Sequence, residues 1–180
     1  MKTRADRATV SATFLDGSAL SRLALGRVAD QRARAKGDES MTPRFAGYEE
    51  KIRKSFSKQT MMDTLGASLV SIRPGEVMIA APVLEASRQQ HGFAHAALAF
   101  AIGDSAAGYA ALGLMDEEAE VLTVEMKINL LAPASGDRLV ATGRVVRPGR
   151  RIVVVSAEVE AETGADRRHV ALLQGTMIPA

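Results

Sequence analysis

The chain has 180 residues, 47% of them hydrophobic, with 23 basic and 21 acidic side chains and a formal net charge of +2 at pH 7. This length and apolar content suit one globular domain, with or without an additional arm, and exclude a chain too polar to build a core. The absence of cysteine excludes disulfide bonds and a thiolate nucleophile, and the first ten residues lack the apolar run of a secretory signal, so we expect a cytoplasmic protein.

The first 60 residues are basic, with 13 Lys or Arg and 7 Asp or Glu. Partial helical periodicity, interrupted by glycines, predicts one or two short helices within residues 1–40, followed by a polar linker. A basic arm could contact nucleic acid, a membrane or another subunit. No nucleic-acid-binding motif is present and a solvated helical face explains the charge, so we expect neither a nucleic-acid nor a membrane partner. Within residues 45–59, Tyr48, Ile52 and Phe56 form one apolar stripe, which predicts a further helix.

A β-rich region begins near residue 62. Residues 64–72 and 76–82 are rich in β-prone side chains. The intervening Arg73-Pro74-Gly75 is a turn signal, so the two runs predict a β-hairpin.

Residues 89–115, QQHGFAHAALAFAIGDSAAGYAALGLM, contain an apolar run with one carboxylate, Asp104, near its middle. Apolar residues surround Asp104 on every face of the predicted helix, which indicates a buried helix rather than an amphipathic one. The run is long enough to span a bilayer, but its Ala and Gly content and its central charge favour a core helix. A carboxylate there costs several kcal/mol unless it is paired, hydrogen-bonded or protonated, so Asp104 is either a satisfied core residue or a residue kept for chemistry.

Four strands are predicted after this helix, at residues 121–131, 139–147, 151–162 and 168–178. The first alternates between apolar and polar side chains, so one face would carry Leu122, Val124, Met126, Ile128 and Leu130. Short turns between the strands predict a meander of antiparallel neighbours. A sheet curved around the apolar helix would explain why that helix lacks a polar face, and the predicted fold class is α+β.

The segment 89–115 also resembles a known family. Gln89, His95 and Asp104 are separated by six and nine residues, which is the spacing of an Asn or Gln, the His of a His-Gly-Gly motif and an Asp in hotdog acyl-CoA thioesterases of the phenylacetate-degradation (PaaI-like) family. The following SAAGYA and the later LTVEMKINLLAPASGDRLVATGRVVRPGRRIVVVSAEV are similar to that family too. The resemblance covers about residues 45–178. It implies a hotdog domain at residues 45–180, an antiparallel curved sheet wrapped around a long central helix, preceded by an N-terminal arm at residues 1–44 that is helical or partly disordered.

This resemblance implies thioester hydrolysis, with Asp104 as general base or nucleophile and the start of the helix as oxyanion hole. The other catalytic candidates are Gln89, His95, Ala96 and Thr123. Ala96 and Ala97 replace the family's two glycines, which keeps the backbone N–H donors and adds methyl groups near the substrate. Ala96 and Asp104 lie roughly 12 Å apart along one helix, too far to act on one carbonyl. In the family that this chain resembles, the site lies between paired subunits. The resemblance therefore implies a homodimer, assembled into a homotetramer.

Substrate binding is predicted for Ala97 and for three arginines around the Pro148-Gly149 turn, namely Arg147, Arg150 and Arg151. The arginines could pair with the phosphates of coenzyme A, although hairpin arginines are commonly just solvated. His91 and His95 have the i, i+4 spacing of metal ligands, but no Glu follows His91 and Gly92 disfavours a helix there, so we predict no metal. No cofactor beyond the CoA of the substrate is implied.

The expected function is therefore an acyl-CoA thioesterase, with aryl-acyl groups among its candidate substrates. Two alternatives stay open. A hotdog hydratase or dehydratase would need His95 as base. A non-catalytic acyl-CoA sensor or regulator would resemble fatty-acid-synthesis repressors with a DNA-binding arm, although residues 1–40 show no convincing helix-turn-helix.

Overall fold

The structure, a computed structural model, describes residues 41–180. The helices predicted within residues 1–40 lie outside the described residues, and the division of the chain at residue 44 stays a prediction. Met41 packs against the core, and Arg44 forms an ion pair with Asp116 at 3.0 Å. The helices are α1 (Tyr48–Phe56), α2 (Thr60–Thr64) and α3 (Ala96–Leu112), with a 3-10 turn at Glu85–Ser87. The strands are β1 (Ser68–Arg73), β2 (Glu76–Pro82), β3 (Val121–Leu130), β4 (Arg138–Arg147), β5 (Val153–Thr163) and β6 (Asp166–Pro179).

The helix predicted at residues 45–59 corresponds to α1, and the separate short helix α2 follows it. Acidic Glu49 and Glu50 in the first turn of α1 and basic Arg53 and Lys54 in its last turn suit the helix dipole. The second helix, α2, takes the beginning of the predicted strand 64–72. A turn through Gly66, which has a φ of 63°, separates α2 from β1, because glycine adopts this left-handed conformation without the steric cost of a Cβ.

The six strands form one antiparallel sheet in the order β1-β2-β4-β5-β6-β3. The α+β prediction is confirmed, and so are the predicted antiparallel pairings of β4 with β5 and of β5 with β6. The predicted place of β3 in the meander is wrong, because β3 pairs with β6 and not with β4. The connection at residues 131–137 is not a hairpin turn. It crosses the end of the sheet, where Leu131 N–H donates to Val170 O and Ala134 O accepts from Ala94 N–H. Because of this crossing, β4 pairs with β2, and β3 is an edge strand of the sheet.

The core lies between α3 and the concave face of the sheet. The closest approach is at Gly143 of β4, where an added Cβ would lie 2.2 Å from the backbone carbon of Ala106. The C-terminal half of α3 is buried throughout, but Phe100 in its N-terminal half is 37% exposed. The expectation that apolar contacts surround the whole helix is therefore wrong for one chain. Within residues 41–180, no helix has the length and apolar character needed to cross a membrane.

A β-bulge in β3 divides the predicted apolar face. The register against β6 shifts between Thr123 and Glu125, so residues on the two sides of the bulge alternate out of phase. Val121 before the bulge and Met126 and Ile128 after it pack against the core. Three members of the predicted face are exposed instead, namely Leu122, Val124 and Leu130. The bulge thereby leaves Thr123 directed at α3, where its hydroxyl meets Asp104.

Candidate active site

The start of α3 is fixed by a histidine cap and by two loop hydrogen bonds. His95 is the N-cap residue, and its Nδ1 accepts a hydrogen bond of 3.0 Å from Ala97 N–H. His95 N–H donates to Ser87 O at 2.8 Å and Ala94 N–H donates to Ala134 O at 2.9 Å. The lone pair of His95 Nδ1 is therefore occupied by the cap hydrogen bond. His95 therefore shapes the helix start.

Two neighbouring N–H groups at this helix start differ in what they can do. Ala97 N–H is used by the cap. Ala96 N–H, the first of the helix, has no acceptor among the described residues. The first N–H groups of a helix have no intrahelical partner and lie at the positive end of its dipole. Of the two alanines at the predicted glycine positions, Ala96 thus offers the free donor.

Gln89 reaches the same place from the preceding loop. Its Oε1 accepts from His91 N–H, and its backbone N–H donates to Phe93 O at 2.9 Å. The loop closes through Gly92, which has a φ of 83°. Gln89, Phe93, His95 and Ala96 line one cavity of about 670 Å³, which extends to Leu130 and Leu131. The structure therefore brings three predicted catalytic residues together, namely Gln89, His95 and Ala96.

Asp104 lies in the third turn of α3 and is half-buried. Its Oδ1 accepts a hydrogen bond of 2.9 Å from Thr123 Oγ1. Burial raises the pKa of the Asp104 carboxyl above its ordinary value, and the Thr123 hydrogen bond lowers that pKa in part. Two of the predicted catalytic residues, Asp104 and Thr123, are thus in direct contact, and Asp104 Oδ2 accepts no hydrogen bond from the described residues.

The cavity beside Asp104 contains polar residues that the sequence reasoning missed. It measures about 200 Å³ and is also lined by Ser55, Gln59, Ser105 and Tyr109. Gln59 Nε2 donates to the Tyr109 hydroxyl at 2.6 Å, and Ser55 Oγ lies 3.3 Å from the same hydroxyl. Tyr109, the one phenol in the apolar segment 89–115, was a signal that could have been used, because a buried hydroxyl needs a partner. Nothing in the local pattern points to Gln59, which lies 50 residues away.

The Ala96 N–H and the Asp104 carboxylate do not meet within one chain. Ala96 and Asp104 are eight residues apart on α3, roughly 12 Å along the helix axis. Their cavities share no lining residue among the described residues. One chain therefore carries a donor site at one end of the exposed face of α3 and a carboxylate site two turns further on.

The remaining predicted residues lie away from both cavities. Arg147, Arg150 and Arg151 are exposed around the turn between β4 and β5. Of these, Arg150 lines a cavity of about 280 Å³ with Leu114, beyond the C-terminal end of α3. Their predicted contact with CoA phosphates stays a prediction. His91 precedes α3, so the i, i+4 pair with His95 is not on a helix, and residues 41–180 hold no group of three or more His, Cys, Asp or Glu arranged for a metal ion.

The sequence profile of the family described as the thioesterase superfamily matches residues 91–167. The chain is 30% identical to a protein named putative esterase from Deinococcus radiodurans over 115 residues, which cover 64% of this chain and 75% of that protein. It is 23% identical to the 1,4-dihydroxy-2-naphthoyl-CoA hydrolase of Listeria monocytogenes over 103 residues, 57% of this chain and 84% of that enzyme.

Solved structures agree with these matches. A thioesterase family protein from Silicibacter pomeroyi is 44% identical, with a TM-score of 0.73 over 74% of this chain and 98% of that chain. The PaaI protein from the phenylacetic acid degradation operon of E. coli is 21% identical and shares the fold, with a TM-score of 0.67 over 74% of this chain and 93% of that chain. The predicted hotdog fold is confirmed, and this chain belongs to the thioesterase superfamily, a family of thioester hydrolases.

Proposed function

We propose that this protein hydrolyses an acyl-CoA thioester to a free acid and CoA in a site built from two copies of the chain. One observation carries the proposal: α3 presents a free backbone donor at Ala96 and a half-buried carboxylate at Asp104. These are the two groups that thioester hydrolysis needs, and they are too far apart to serve the same carbonyl in one chain. The name of the Listeria relative, a CoA hydrolase, supports a CoA thioester as substrate.

Ala96 would stabilise the oxyanion. When a nucleophile adds to the thioester carbonyl, negative charge develops on the carbonyl oxygen, and a preorganised N–H at a helix start is worth about 3–4 kcal/mol of transition-state stabilisation. The Gln89 side chain lines the same cavity. Because its Oε1 accepts from His91 N–H, its amide nitrogen remains as a second donor for the carbonyl.

Asp104 would act as general base. Its desolvated carboxylate removes a proton from water, the water oxygen bonds to the carbonyl carbon, and the C–S bond then breaks. The departing thiolate of CoA takes up a proton, which leaves the carboxylic acid as the other product. A pKa raised by burial suits this role, because a base works best when its pKa approaches the working pH. Direct attack by Asp104, with a later hydrolysis of the resulting anhydride, uses the same geometry.

A two-fold pairing of α3 would bring the two groups together. Phe100 lies midway between Ala96 and Asp104 in sequence and is exposed. A two-fold axis that passes beside Phe100, perpendicular to α3, would make the paired helices antiparallel and set Asp104 of one copy opposite Ala96 of the other. The edge strand β3 supports such pairing, because its outer edge pairs with no other strand of residues 41–180 and Leu122 and Val124 are 55% and 58% exposed.

The hydratase alternative has less support. It requires His95 to take a proton, but the Nδ1 lone pair is already occupied by the hydrogen bond from Ala97 N–H. The regulator alternative depends on residues 1–40, which lie outside the described residues.

The decisive experiment measures free-thiol release from a panel of acyl-CoA thioesters by the wild type, by Asp104→Asn and by Ala96→Pro, which lacks the N–H donor. Each variant alone is expected to lose at least about 10²-fold in rate. Co-expression of the two variants, each with its own affinity tag, and purification of the mixed species should restore about half of the wild-type rate, because one of the two sites in each mixed dimer is intact. Mixed dimers that remain inactive would show that both groups must belong to the same chain.

A further inference from the structure

The cavity beside Asp104 has a second polar wall, which the proposed reaction does not use. Tyr109 is only 3% exposed, and its ring packs on Phe56 with 6.0 Å between ring centroids. Tyr109 nevertheless lines the Asp104 cavity together with Gln59 and Ser55, the two residues whose polar atoms contact its hydroxyl. A phenylalanine at position 109 would pack against Phe56 equally well, so packing does not explain the hydroxyl and its hydrogen-bond partners.

The hydrogen bonds leave the hydroxyl proton of Tyr109 available. Gln59 Nε2 donates to the Tyr109 oxygen at 2.6 Å, so this bond does not use the phenolic proton. The Ser55 hydroxyl lies 3.3 Å from the Tyr109 hydroxyl, and either oxygen can be the donor of this longer hydrogen bond. Tyr109 can therefore accept from Gln59 and donate into the cavity at the same time.

The dimensions suit water between Tyr109 and Asp104. The two residues are five positions apart on α3, roughly 7.5 Å along the axis. The cavity volume of about 200 Å³ accommodates several water molecules, each of which takes about 30 Å³ in the liquid. An ordered water needs two to four polar partners, and Asp104 Oδ2, the Tyr109 hydroxyl and Ser105 supply them.

We propose that Tyr109, held by Gln59, is a positioning residue that anchors the water from which Asp104 removes a proton. This inference rests on the proposed function. The attacking water bonds to Asp104 on one side, and either it or the next water in line bonds to the Tyr109 hydroxyl on the other. Gln59 fixes the rotation of the phenolic O–H by occupying its acceptor side. The segment that precedes the sheet, α1 and α2, thereby contributes to the reaction through Gln59.

The test compares Tyr109→Phe with Tyr48→Phe. The two substitutions remove the same atom, but the Tyr48 hydroxyl bonds to Glu49 and does not line the Asp104 cavity. We expect Tyr109→Phe to lower kcat by about tenfold, the effect of one hydrogen bond, with KM within about twofold of the wild type. Tyr48→Phe should keep both constants.

The pH profile separates a positioning role from a purely structural one. The titratable residues that line the cavity are Asp104, Glu120 and Tyr109. An anchored water stabilises the ionised form of Asp104, so its loss in Tyr109→Phe should move the acid limb of the kcat profile to higher pH. The same shift in a Glu120→Gln background would assign it to Asp104. A Gln59→Leu variant should shift the limb in the same direction, and the double variant should fall short of the product of the single effects.

Three results would overturn the inference. One is an unchanged kcat and acid limb in a folded Tyr109→Phe enzyme. Another is a rise of KM alone, confined to acyl groups with a hydrogen-bonding end, which would make the wall an acyl-recognition surface. The third is full additivity of Tyr109→Phe and Gln59→Leu. Each can occur while Asp104→Asn is inactive, so failure of this inference is distinguishable from failure of the proposed function, which an active Asp104→Asn enzyme would indicate.

Discussion

The oxyanion role of Ala96 can be tested by Ala96→Pro, which removes one backbone hydrogen-bond donor and leaves the helix intact. Proline lacks a backbone N–H and is favoured at the first position of a helix, which Ala96 occupies. The preceding residue must be extended before a proline, and His95 already is, with φ −64° and ψ 144°. Because Ala96 N–H has no acceptor among the described residues, Ala96→Pro breaks no hydrogen bond of the folded chain.

The expected loss is large and confined to catalysis. Removing one oxyanion donor costs about 3–4 kcal/mol in the transition state, or about 10²–10³ in kcat. Thermal unfolding of Ala96→Pro should match or exceed that of the wild type, since proline at a compatible position restricts the unfolded chain.

The assay is steady-state thiol release at saturating acyl-CoA, with thermal unfolding as a measure of folding. Ala96→Gly is the matched control, because it keeps the N–H and removes only the methyl group. We expect Ala96→Gly to retain activity, and to gain it with bulky acyl groups if the methyl narrows the approach to the thioester. A folded Ala96→Pro enzyme with the wild-type kcat would refute the assignment of the oxyanion hole to this N–H.

Two further predictions concern stability. The pKa of Asp104 is raised in the folded chain. Between the unfolded pKa of about 3.9 and the folded pKa, the native state therefore binds more protons than the unfolded state. The contribution of Asp104 to the free energy of unfolding falls as the pH rises through this range. Asp104→Asn should therefore unfold at a higher temperature than the wild type at neutral pH, and the difference should close as pH approaches 4; a variant less stable at neutral pH would show that the ionised carboxylate is net stabilising. Gly143→Ala should destabilise the fold by about 1–3 kcal/mol or more, because its Cβ would lie 2.2 Å from the backbone of Ala106. In Gly108→Ala, by contrast, the nearest atom to the added Cβ is 3.8 Å away, so this control should keep or raise the unfolding temperature; equal melting temperatures for the two variants would contradict the close packing at Gly143.

Several features of this protein could be predicted because they depend on neighbours in sequence. The long apolar segment predicted a core helix, and α3 is that helix, since burial of a continuous apolar run needs no knowledge of its partners. The strands from β3 to β6 were placed within a few residues by alternation and turn signals. The spacing of Gln89, His95 and Asp104 identified the family, and with it the curved sheet around a central helix.

The arrangement of those elements was decided by contacts between distant residues. Turn lengths predicted that β3 would lie beside β4, whereas the crossing of residues 131–137 places β4 beside β2 and β3 beside β6. A single bulge then reverses the alternation in β3, because shifting a strand by one residue exchanges its two faces. This exchange exposes Leu122 and Val124 and turns Thr123 towards Asp104.

In the candidate site, too, some features follow from local sequence and others from contacts between distant residues. The sequence by itself determined the candidates Gln89, His95 and Asp104, because their spacing resembles that of the family and depends only on neighbours in the chain. Only the tertiary structure decided that the His95 cap uses Ala97 N–H and leaves Ala96 free, and that Gln59 reaches Tyr109 across 50 residues. Such pairs have no period in the sequence, since they form only when separate elements pack against one another.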